Sequence, residues 1–205
     1  MLIEQPPLLY RLYFRGSLWR INRESKVVYL TFDDGPIPEI TPWVLDLLDK
    51  YKIKATFFCV ADNVRKYPDI YQDLLERGHQ VGNHTYHHLQ GLRTWSKNYV
   101  ANVDLAAKII KSKLFRPPHG HIRLPQLAWL KKKEYKVIMW DVVTRDYSKY
   151  VDSEKVFNNV KKYTRPGSII VFHDSIKAGD KMKEALPRSI EWLLEQGYTF
   201  ELIPE

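Results

Sequence analysis

Short apolar runs alternate with amphipathic stretches along the whole chain. Residues 26–32 read KVVYLTF, nearly all apolar and rich in β-branched and aromatic types, which predicts a buried strand. Residues 41–51 place Val44, Leu45, Leu47 and Leu48 on one helical face, and Pro42 suits a first turn. Residues 55–60 predict the next strand. Residues 69–77 predict a helix ended by Gly78, and 80–82 a short strand. Helices are then expected over 99–112, 125–133, 153–163 and 182–196. Extended segments over 114–116, 136–140, 168–172 and 200–203 alternate with them. Such alternation predicts an α/β fold with a parallel sheet covered on both faces, either an open doubly wound sheet or a barrel. Both forms gather their chemistry at the C-terminal ends of strands.

Five of those ends carry ionisable residues. Asp33-Asp34-Gly35-Pro36 follows the first strand, and His84-Thr85-Tyr86-His87-His88 follows the third. Arg116-Pro117-Pro118-His119-Gly120 follows residues 114–115. Asp141 and Asp146 follow Trp140, and His173-Asp174 follows residues 168–172. Neighbouring residues at a strand end point in different directions, so one carboxylate of Asp33-Asp34 can hold a cation while the other faces a reacting water. Side by side they repel unless a cation or a shared proton relieves them. On a helical turn, His84 and His88 share a face at four residues apart, and His87 competes for the same place. With an adjacent aspartate they make a two-histidine, one-carboxylate set, which suits zinc with an open position or non-haem iron. A second carboxylate beside the set favours hydrolysis.

Two prolines without N–H groups follow Arg116, so the next backbone donor is that of His119, placed to stabilise an oxyanion. Arg116 can orient a carboxylate such as Asp33. His173 is a candidate general acid, with Asp146, Asp141 or Asp174 to tune it.

Composition narrows the picture. The chain has 205 residues, 44% of them hydrophobic, 27% charged, a net charge of +8 and one cysteine. It is long enough to bury a core without disulfides, and Cys59 in its apolar run reads as an inert buried thiol. Lys131-Lys132-Lys133 and Lys161-Lys162 fall where helices should end, so they read as solvated faces and no nucleic-acid partner is expected. Nothing in the sequence reads as a signal peptide or transmembrane segment, so the expected compartment is the cytoplasm or a membrane periphery. Residues 1–25 admit two readings: a helical extension packed on a domain spanning 26–205, or a segment touching a membrane through its arginines and Trp19.

In order, these motifs resemble those of the polysaccharide deacetylases, the NodB-homology family (carbohydrate esterase family 4), over about residues 26–203. Thr31–Pro36 (TFDDGP) and His84-Thr85-x-x-His88 match in full, Arg116-Pro117-Pro118-x-Gly120 in all but one place, and Val171-x-His173 has Val where Leu is usual. The resemblance implies a distorted (β/α) barrel with about seven parallel strands. It implies Asp34, His84 and His88 as ligands of a metal, commonly Zn2+ with Co2+ or Ni2+ as substitutes, which selects His88 over His87. It also implies Asp33 as base on a metal-activated water, Arg116 as its orienter, His173 as acid and Asp146 as its tuner. The implied reaction removes N-acetyl, in some members O-acetyl, groups from an amino-sugar glycan such as chito-oligosaccharide or peptidoglycan. Substrate or oxyanion contacts are expected from His119, Pro118, Tyr147 and Trp140. His119 stands where an aromatic is usual, Val143 where many members have Asp, and Tyr147 where Trp is usual. A deformylase or other amide hydrolase on a small or lipid-linked substrate, and a non-catalytic carbohydrate-binding homologue, are the alternatives.

Overall fold

The computed structural model describes residues 4–205. Seven parallel strands run in the order β5-β4-β3-β2-β1-β7-β6. They are β1 (Val27–Asp33), β2 (Thr56–Cys59), β3 (Gln80–Asn83), β4 (Leu114–Phe115), β5 (Lys136–Val137), β6 (Val142–Val143) and β7 (Ile169–His173). A short β8 (Thr199–Phe200) pairs with the start of β1. The helices are α1 (Leu8–Tyr13), α2 (Thr41–Lys50), α3 (Ala61–Lys66), α4 (Pro68–Glu76), α5 (Ser96–Ala107), α6 (Leu124–Lys132), α7 (Ser153–Tyr163) and α8 (Gly179–Glu195). This is the expected α/β distorted barrel. It is left open between β5 and β6, the two ends of the strand path.

β1 is buried along its whole length, and its period-2 alternation sorts two cores. Val28, Leu30 and Phe32 join the layer under α2 and α8, whereas Val27 and Tyr29 join an inner cluster with Phe58, Phe115 and Val171. Thr31 and Asp33 follow Tyr29 on the inner face, so the barrel interior turns polar towards one end. Residues 18–21 cross the open seam. Leu18 donates to Val137 O and accepts from Met139 N, both at 2.8 Å, and Ile21 N donates to Gly167 O at 2.9 Å. Unpaired strand edges are thereby covered.

Several elements differ from the sequence reading. α3 and β6 were not expected; each is too short to show a period. The helix expected over 99–112 occupies Ser96–Ala107, and the strand expected over 136–140 pairs only at Lys136–Val137. α8 continues through Pro187, which the expected range also contained.

Candidate active site

Strand register brings the five motifs to one level. Asp33 pairs with His173 across β1 and β7, and Asn83 with Phe115 across β3 and β4. The residues after Asn83 and Phe115, His84 and Arg116, therefore emerge together, and His84 Nδ1 lies 2.7 Å from the Arg116 carbonyl. That carbonyl only accepts, so Nδ1 carries the proton and Nε2 keeps its lone pair.

His84 and His88 do not share a helical turn, contrary to the sequence reading. They stand on a loop in which Thr85 and His88 both have positive φ, 65° and 54°. Asn83 Oδ1 accepts from Thr85 N, Thr85 Oγ1 from Leu89 N, and Asn102 Oδ1 from the N–H groups of Tyr86 and His87. Asn102 Nδ2 also lies 2.8 Å from His87 Nδ1, so His87 is tied to α5. The ligand-forming atoms of Asp34, His84 and His88 all lie within 4.8 Å of one another, with His88 Nε2 3.0 Å and His84 Nε2 3.6 Å from Asp34 Oδ1. One carboxylate and two imidazole nitrogens in such a cluster fit a divalent ion of the zinc type. Burial pushes His84 down to about 4 against the pull of Asp33, so its ring is neutral and able to ligate. Burial alone would raise Asp34, but the His88 hydrogen bond and the charge of His173 hold its carboxyl well below the usual range.

Behind this cluster sits Arg116, wholly buried. It donates to Asp33 Oδ1 at 2.6 Å, Thr31 Oγ1 at 2.8 Å, Met139 O at 3.0 Å and Ile138 O at 3.2 Å, and stacks 4.1 Å from the Phe58 ring centroid. Asp33 Oδ2 faces the other way, 4.0 Å from His84 Nε2. On the opposite wall, Asp146 accepts from His173 N at 2.7 Å and pairs with His173 Nδ1 at 2.8 Å. Burial opposes charge on His173, but Asp146, with Asp34 and Asp33, outweighs it and pushes the ring up to about 9. Of the three candidate tuners, Asp146 is the one hydrogen-bonded to the His173 ring. Asp141 is turned to the seam, held by Arg11, Arg165 and Ser168. Asp174 accepts from Gly35 N and Thr41 Oγ1, which leaves it no contact with the His173 ring. A Cβ on Gly35 would come within 1.8 Å of the Asp174 carboxylate, so glycine is needed there.

Asp33, Asp34, His84, His88, His119, Trp140, Tyr147 and His173 line one cavity of about 560 Å³. Arg116 and Asp146 stand behind its wall, and Pro118 is buried without lining it. The Tyr147 ring meets that of His173 edge-on at 4.7 Å. His119 has φ 59° and its exposed ring lies 4.8 Å from His88, so this wall is polar. Gly120 lets Trp140 close against the turn, since a Cβ would meet the indole at 2.4 Å. Sequence reasoning missed Asn63, whose Nδ2 donates to Asp34 O at 2.8 Å, along with Asn102 and the pocket residues Ser175 and Lys177. None stands in a motif; Ser175 and Lys177 follow His173-Asp174 along the chain, and the fold brings Asn63 and Asn102 near.

The sequence profile of the polysaccharide deacetylase family matches residues 20–138. A peptidoglycan-N-acetylglucosamine deacetylase of Bacillus cereus is 34% identical over 195 residues, 91% of each chain. A chitooligosaccharide deacetylase of a Bradyrhizobium species is 29% identical over 199 residues, 88% of this chain and 90% of its own. Among solved structures, the Bc1960 peptidoglycan N-acetylglucosamine deacetylase superposes with a TM-score of 0.86 at 30% identity, covering 97% of this chain and 95% of the other. A Bacillus anthracis protein described as a CE4 family pseudoenzyme superposes at 0.80 with 26% identity, over 91% of this chain and 67% of its own. The chain belongs to the polysaccharide deacetylase family, the family 4 carbohydrate esterases.

Proposed function

We propose that this protein is a metal-dependent deacetylase that hydrolyses N-acetyl groups of an amino-sugar glycan of the peptidoglycan or chito-oligosaccharide kind. The observation that carries the reading is one cavity bounded by an Arg116-held carboxylate, an Asp34–His84–His88 cluster and an Asp146-held imidazole. Full relatives named for this activity, matched over nine-tenths of their length, support it.

Amide hydrolysis needs an activated water, a stabilised oxyanion and a protonated leaving amine. Asp34, His84 and His88 would hold the metal, zinc first by its donor set and cobalt or nickel as substitutes. Bound there, it supplies Lewis acidity to the acyl oxygen and lowers the pKa of a water. Asp33, fixed through one oxygen by Arg116, takes the water proton on the other. The His119 N–H donates to the oxyanion. His173, kept protonated by Asp146, donates to the nitrogen as the C–N bond breaks. Tyr147 and Trp140 shape the walls around the sugar.

The test is acetate release from N-acetylated chito-oligosaccharides and peptidoglycan fragments, with metal-loaded protein and Asp33→Asn as control. Release that requires both metal and Asp33 is expected. Formate release from formylated amines with no acetate release would favour the deformylase alternative. Metal binding with no acyl release from any substrate would favour the non-catalytic one.

A further inference from the structure

The N-terminal segment has two faces, and the deacetylase reading uses neither. The inner one is pinned. Phe14 is buried beside Trp19, Arg11 donates to the fully buried Asp141 at 2.7 Å, and Tyr10 O–H donates to Gly120 O at 3.0 Å. The outer one is apolar and bare. Leu8, Leu9, Leu12 and Tyr13 are 69%, 81%, 45% and 60% exposed, and helical spacing puts all four on the side opposite Tyr10 and Phe14. Isolated exposed leucines need no explanation, but a contiguous group marks a contact surface.

Charge decides what fits it. Arg15 follows the helix, and Lys131 Nζ donates to the Arg15 carbonyl at 2.6 Å, which sets the exposed lysine end of α6 beside α1. Among the described residues, no carboxylate lies within 4.0 Å of Arg15, Lys131, Lys132 or Lys133. A second copy of this chain would set these same cations face to face across a two-fold axis, in a protein of net charge +8. A bilayer with anionic headgroups instead offers hydrocarbon to the leucines and phosphate to the cations.

We propose that α1 docks this protein on an anionic phospholipid surface, with Leu8, Leu9, Leu12 and Tyr13 entering the headgroup–acyl boundary and Arg15 and Lys131 facing phosphates. Tyr10 ties the same helix to the turn carrying His119, so the docked helix is fixed to one wall of the catalytic cavity. The proposal stands independently of the deacetylase reading, because no residue of the cavity takes part.

The test is co-sedimentation of the full chain with phosphatidylglycerol–phosphatidylcholine vesicles and with phosphatidylcholine alone, at low and high salt. The wild type should sediment with the anionic vesicles, less at high salt and little with the neutral ones. Leu9→Glu/Leu12→Glu should weaken partitioning by about tenfold or more, since it trades buried hydrocarbon for charge near phosphate. Both side chains are exposed, so the melting temperature should hold; if it drops, Arg15→Glu supplies the comparison. A wild type that stays in the supernatant with anionic vesicles overturns the proposal. So does a double variant that binds as well as the wild type. A wild-type dimer that the double variant abolishes also overturns it, assigning the face to a second copy.

Discussion

Arg116 allows the most demanding test of how this site is held. Its guanidinium is wholly buried and satisfies Asp33, Thr31 and the carbonyls of Ile138 and Met139. Replacing it with methionine fills much of the space but leaves the Asp33 charge buried and uncompensated. Breaking a buried pair from one side costs about 3–5 kcal/mol. Against a typical total of about 5–15 kcal/mol, that is at least about a fifth of the stability. For a chain of this size, about 2–4 °C per kcal/mol converts it to a loss of about 6–20 °C in melting temperature. Arg116→Met/Asp33→Asn removes both charges and should recover at least about 1 kcal/mol relative to Arg116→Met alone. The assay is guanidinium and thermal unfolding of wild type, both single variants and the double, in chelator so that metal binding does not contribute. A single variant costing under about 1 kcal/mol, or a double variant no more stable than Arg116→Met, would refute the claim that Arg116 neutralises Asp33.

Asp146→Asn should move the alkaline limb of kcat to lower pH by about 1–3 units, since it removes the opposite charge nearest His173. An unmoved limb in the kcat–pH profile would detach His173 from that limb. Because His173 is raised from 6.5 to about 9, its protonated form adds stability below pH 6.5 that fades as pH rises towards 9, and Asp146→Asn should flatten that slope in unfolding titrations. His88→Ala should lower metal affinity by more than the ~10–100-fold that losing a supporting hydrogen bond costs. His87→Ala should stay within that range, because His87 is tied to Asn102; calorimetric metal titration separates the two, and equal losses would count against the ligand assignment. Asp141→Ala should free Arg11 and expose the segment before β1 to limited proteolysis, and an unchanged cleavage rate would show that other contacts hold it.

Much of this architecture is written locally. The apolar run of β1 reads as a strand buried on both faces and the amphipathic stretches of α2, α4 and α7 as helices covering a sheet, and the structure has them so. The order of the strand-end motifs carried the family resemblance, and the structure brings the ligand-forming side-chain atoms of Asp34, His84 and His88 within 4.8 Å of one another. What local pattern left undecided was which group meets which. His84 and His88 converge through left-handed loop residues pinned by Asn83, Thr85 and Asn102, not through a helical turn. Asp146, Asp141 and Asp174 are alike in sequence, yet one meets His173, one meets the seam arginines and one meets Gly35 and Thr41. Their partners lie 27, 130 and 139 residues away, so only the strand register and the path of the N-terminal segment could sort them. Residue type and spacing named the chemistry of this chain, and the closing of the sheet chose its partners, because hydrogen bonds and buried charges are paid for in three-dimensional contacts that no local period records.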